Sequence, residues 1–188
     1  DVQDSIAEGL LKTIIKHAPV AIKEPENYIA RANLLWSSTL ALNGLVARGR
    51  NGGWTCHPIE HELSAYYDIT HGIGLAILTP RWMKFCIDRD PSTHAKFAAY
   101  ARNVWGLMEG SDEELARQVV EKTYTFFRDQ LEIPMVLSEV GIKNQELVRE
   151  MSEKAVEHGN LGQNIFVTLD ADDVENIISA SFEAMETF

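Results

Sequence analysis

The stretch His57-Pro-Ile-Glu60-His61-Glu-Leu-Ser-Ala-Tyr-Tyr67-Asp68-Ile-Thr-His71-Gly-Ile-Gly-Leu-Ala-Ile-Leu-Thr-Pro80 decides the fold. It predicts two helices with a break at Asp68-Ile-Thr70. The first runs from Pro58 to about Tyr67, its proline tolerated in a first turn, where a backbone N–H has no intrahelical partner. The second is an apolar run from Gly72 to about Ile87. Two helices joined by so short a turn bring three histidines, His57, His61 and His71, toward one another.

Working outward, the chain reads as helix after helix. Ile6, Leu10, Ile14 and Ile15 form a helical stripe that His17-Ala-Pro19 is expected to end. A long amphipathic stretch runs from about Pro25 to Val46, with Ala30, Leu34, Leu35, Leu42 and Leu45 as its candidate core side. Arg48-Gly-Arg-Asn-Gly-Gly53 is the clearest loop. Asp90-Pro91 caps a helix expected to reach Trp105, and Ser111-Asp-Glu-Glu114 is a capping-box pattern for the next. Asn144 is expected to open a helix that Gly159 closes, and Asp170 to cap a last one carrying Val174, Ile177, Ile178 and Phe182. Asn164-Ile-Phe-Val-Thr168 is the single β-prone run, too isolated for a sheet. The fold class is therefore all-α, a helical array expected to form one domain over residues 1–188.

Composition narrows the function. The chain has 188 residues, 45% apolar and 24% charged, which is ordinary globular material. With 17 Lys and Arg against 28 Asp and Glu, the net charge of −11 supplies no basic footprint for phosphates, so nucleic acid is not an expected partner. No apolar run is long enough to span a bilayer, so no membrane role is expected. Cys56 and Cys86 make no disulfide framework, which points to a reducing, cytoplasmic setting. The start, Asp1-Val-Gln-Asp4, shows neither a signal-peptide pattern nor an initiator Met, and is expected to be a processed or trimmed end.

The histidine block carries the chemistry. His57 and His61 share one helix face, and neutral imidazole is the commonest transition-metal ligand. Glu62 and Asp68 are further candidates, better read as solvated carboxylates, and Cys56 as a small core residue. His17, His94 and His158 sit near helix ends, where the dipole or solvent accounts for them. His57-Pro-Ile-Glu60-His61 also matches the inverted zinc-peptidase pattern H-x-x-E-H, in which His57 and His61 bind zinc, Glu60 activates water, and Glu139 or Glu146 completes the site. A stand-alone helical metal-binding or interaction domain is a third reading.

The block from His57 to Pro80 resembles the signature of the iron-containing (group III) alcohol dehydrogenases, H-x3-H-x-L-x-A…H-G…L-A-I…P. Glu24-Pro-Glu-Asn-Tyr28, Arg31-Ala-Asn33 and Ala41-Leu-Asn-Gly44 resemble the butanol-dehydrogenase-like branch. So do Tyr100-Ala-Arg-Asn-Val-Trp105, Glu109-Gly-Ser-Asp112, Pro134 and Leu169-Asp170. The resemblance covers essentially the whole chain. It implies that His57 and His71 bind a divalent metal, Fe2+ or Zn2+. It also implies that His61 is not a ligand but lines the nicotinamide and substrate site as a catalytic, proton-transferring group. The implied cofactor is NAD(H) or NADP(H), the implied substrate a small primary alcohol or aldehyde, and the implied parent a homodimer or larger. Two features of the family are not found: a G-G-G-S phosphate turn, since Gly52-Gly53 is not followed by Ser, and a D-x-x-x-H ligand motif, which Asp4-Ser-Ile-Ala-Glu8 does not match. The chain is thus expected to be the helical carboxy-terminal domain, with the amino-terminal Rossmann-like α/β domain missing, and to be inactive alone.

Overall fold

The computed structural model describes residues 2–48, 54–163 and 166–186. Among them are eight α-helices and no strand, in agreement with the all-α expectation. They are α1 (Val2–Lys23), α2 (Tyr28–Leu42), α3 (Cys56–Tyr67), α4 (His71–Arg89), α5 (His94–Tyr100), α6 (Asp112–Thr125), α7 (Val148–Gly159) and α8 (Ala171–Ser179). The glycine-rich loop beyond Arg48, and Asn164 and Ile165 of the β-prone run, lie outside the described residues; Phe166–Thr168 form no strand. The chain divides into two compact units, one of Asp1–Asn51 with Ala95–Val119, the other of Gly52–His94 with Val120–Phe188.

In the first unit α1 packs on α2 and on the wide turn Ala101–Trp105 that continues α5. Lys96 Nζ reaches Asp4 at 2.5 Å, and Asn103 donates to Glu8 at 2.8 Å. Pro19 does not end α1, which runs on to Lys23. Proline removes one hydrogen bond of the ladder, but the ladder continues, with the Glu24 N–H on the Val20 carbonyl at 2.8 Å. α2 opens on Asn27, whose side chain accepts from the Ala30 N–H at 3.0 Å. Its core side differs from expectation. Ala30 is buried, but Leu35, Leu42 and Leu45 are 72%, 70% and 48% exposed. The buried stripe is set by Ala30 and Ser37, one heptad apart. Leu35 and Leu42 project about 140° and about 120° round the helix from Ala30. Ser111 and Glu114 exchange the expected capping hydrogen bonds at the head of α6.

In the second unit α3 packs on α4 and α7, and α8 on α4 and α7. Ile59, Leu63, Ile77, Leu78, Met151 and Ile178 are within its core, each fully buried. Arg81 is buried among them, its guanidinium donating to the carbonyls of Ile77, Met135, Ala180 and Glu183 at 2.6–2.8 Å. Such bonds let a charged group sit in a core by satisfying four of its five N–H donors. Asn144 does not open α7. Its side chain accepts from the Glu146 N–H in a local turn, and the helix begins four residues later at Val148. Gly159 lies at the other end of α7, where a Cβ would come within 2.5 Å of Pro58. Glycine there lets the end of α7 close on the start of α3. Asp170 and Asp173 form a complete capping box for α8.

Candidate metal centre

The site is built on the α3–α4 hairpin. Asp68 ends α3 in the left-handed region, φ 51°, and its N–H returns to the Ser64 carbonyl. Aspartate is one of the few residues that adopt this conformation readily. Thr70 is extended, and its carbonyl accepts from the Ile73 and Gly74 N–H groups, opening α4 directly at His71. The turn thus folds the first residue of α4 back beside the first turns of α3.

All three expected histidines meet. The ring centroids of His57 and His71 are 5.3 Å apart, those of His61 and His71 5.4 Å, and those of His57 and His61 6.0 Å. Burial, then the neighbouring His71 and His61, holds the His57 imidazole below its ordinary pKa. The neutral, lone-pair-bearing form is therefore favoured. His61 and His71 are exposed. Among the described residues, one set of metal-donor atoms all lie within 4.8 Å of one another, those of Glu60, His61 and His71. Clustered imidazoles suit a divalent transition ion better than Mg2+ or Ca2+.

Two neighbours were not singled out for these positions from the sequence. The Trp54 ring stands 4.2 Å from that of His57 and is 55% exposed, so it shields one side of the imidazole. Glu60 is fully buried, with Oε2 on His71 Nδ1 and Oε1 accepting from the Ser64 hydroxyl. The spacing of Glu60 and Ser64, one helical turn, was a signal for the second contact. This placement removes the peptidase reading of His57-Pro-Ile-Glu60-His61. A water-activating carboxylate must face the open site, whereas both Glu60 oxygens are engaged inside the hairpin. Glu139, drafted as a third ligand, instead accepts from the Met135 N–H, and neither it nor Glu146 belongs to the donor set.

The remaining candidates fall elsewhere. Cys56 opens α3 as a half-buried residue, its thiol pushed up to about 12 by burial, as expected of a packing residue rather than a thiolate ligand. Glu62 is buried and pairs with His158 of α7 at 2.8 Å, rather than being solvated. His94 lies at the head of α5 with Nε2 on the Ile87 carbonyl at 3.0 Å. His17 sits within α1, because that helix passes Pro19. No helix of the described residues is long and apolar enough to cross a membrane.

The family model for the carboxy-terminal part of the Fe-containing alcohol dehydrogenase family matches residues 1–182. NADH-dependent butanol dehydrogenase A of Clostridium acetobutylicum is 46% identical over 96% of this chain and 46% of its own length. The NADPH-dependent aldehyde reductase YqhD of Escherichia coli is 40% identical over 90% of this chain and 43% of its own. The solved NADH-dependent butanol dehydrogenase A of Thermotoga maritima superposes with a TM-score of 0.84 at 36% identity, over 97% of this chain and 46% of that one. The chain therefore spans about half the length of the relatives it matches.

Proposed function

The chain belongs to the Fe-containing alcohol dehydrogenase family, and on that premise we propose that it supplies the metal-holding helical part of an enzyme interconverting primary alcohols and aldehydes with NAD(H) or NADP(H). The observation that carries this reading is the convergence of His57, His61 and His71 on one hairpin. A bound divalent ion, Fe2+ or Zn2+, supplies Lewis-acid polarisation of the substrate oxygen. His57 and His71 hold that ion, and the depressed basicity of His57 keeps its lone pair available. Trp54 restricts the approach of water to His57. His61, exposed beside both, moves the substrate hydroxyl proton to and from solvent and borders the nicotinamide. The site for the dinucleotide phosphates and the remaining metal ligands belong to an α/β domain outside this chain, in a cytoplasmic homodimer or larger assembly. The 188 residues alone hold metal loosely and do not turn over butanal.

A second ligand assignment, His61 in place of His57, is favoured by the compact donor set of Glu60, His61 and His71. Zn2+ titration of the purified protein separates the two. The expected result is that His57→Ala and His71→Ala each weaken binding about 10-fold or more while His61→Ala changes it little. Loss of binding in His61→Ala with retention in His57→Ala would move the ligand role to His61. Unchanged binding in all three variants would remove the metal reading.

A further inference from the structure

We infer that Glu60 is a positioning residue: it fixes the ring of His71 through Nδ1, leaving Nε2 as the one atom that ring can offer a metal ion. The inference rests on the reading that His71 is a ligand, and it names what sets that ligand's geometry.

Three observations converge on it. Glu60 is 0% exposed, so its carboxylate cannot be satisfied by bulk water. Its two oxygens have separate partners, Oε2 the Nδ1 of His71 and Oε1 the hydroxyl of Ser64 at 2.5 Å. A carboxylate only accepts, so the proton of this contact lies on Nδ1 of His71. The neutral ring then carries its lone pair on Nε2. The third observation is Gly74, one turn into α4. A Cβ there would stand 2.7 Å from both Glu60 Cγ and Oε1. The glycine thus leaves the space that lets a carboxylate from α3 lie under the first turn of α4 and reach His71.

The arrangement has a chemical consequence for the ion. A buried anion hydrogen-bonded to the far side of an imidazole raises the basicity of the coordinating nitrogen and restricts ring rotation. It also places a negative charge close behind the metal. Direct ligation by Glu60 would share a carboxylate oxygen already engaged by His71 or Ser64, whereas the positioning role uses the contacts as they stand.

The test reads the tautomer first, because that readout needs neither metal nor activity. Long-range 1H–15N correlation of the metal-free protein at pH 8 is expected to show His71 with Nδ1 protonated and Nε2 unprotonated. In Glu60→Ala this preference should be lost. Zn2+ affinity should fall about 10–100-fold in Glu60→Ala. Glu60→Gln, which keeps the volume of the side chain, guards against a folding artefact: its circular dichroism should match the parent while its Zn2+ affinity falls. A His71 protonated on Nε2 in the parent, or a tautomer unchanged in Glu60→Ala, would overturn the inference. A parent protein with the expected tautomer that binds no Zn2+ would sink the metal reading of the previous subsection while upholding the Glu60–His71 contact.

Discussion

α1 and α4 are the two longest helices, 22 and 19 residues, and both show apolar residues at helical spacing. None of the residues of α1 is buried, whereas nine of α4 are. The difference lies in what covers each helix. In its unit, α4 is covered by α3 and by α8 with the turn that follows it. In the other, α1 meets α2 and the turn Ala101–Trp105, and its Ile6, Leu10, Ile14 and Ile15 are half-buried. An amphipathic stripe says that a helix forms and which face favours contact, but not how much cover it receives. The candidate site is on the well-covered helix, where a packed core holds the first residue of α4 in place, and pre-organised ligands lose less freedom on binding.

The comparison breaks first at the core. Ile77→Ala in α4 should cost about 2–5 kcal/mol, and Leu10→Ala in α1 about 1, because a cavity in a close-packed surround cannot collapse. Paired chemical denaturation curves measure this, and equal losses would erase the contrast. Gly74→Ala sharpens it at the site. Its Cβ must displace Glu60, so we expect a loss of about 1–3 kcal/mol together with weakened Zn2+ binding, read by melting and titration on the same sample. The smallest effect belongs to the exposed side of α2. Leu35, 72% exposed, should tolerate Ser within about 0.5 kcal/mol. A larger loss in denaturation would mean that this face is covered in solution.

Much of the helical order was legible because its signals are local. Asp170 caps α8 and Ser111 with Glu114 caps α6 as expected, and the break at Asp68-Ile-Thr70 separates α3 from α4. Where the reading failed, a local rule met a non-local fact. Pro19 removes a hydrogen bond, yet α1 continues against its neighbour. Leu35 and Leu42 share the apolar character of Ala30 but not its direction. The meeting of the three histidines was visible in their spacing and in the family resemblance. The position of Glu60 was not, because a five-residue pattern carries no information on which side chain turns inward. That information resides in Ser64 and Gly74, one on the same helix and one on the next.

The turn Asp68–Thr70 has a consequence for how the protein acquires its fold. Three residues separate α3 from α4, so closing the hairpin costs little chain entropy compared with joining distant segments. Contacts between residues near in sequence form fast. His57, His61 and His71 are therefore expected to meet early in folding, before α7 and α8 dock, and a nascent chain would carry a metal-attracting hairpin ahead of its finished core.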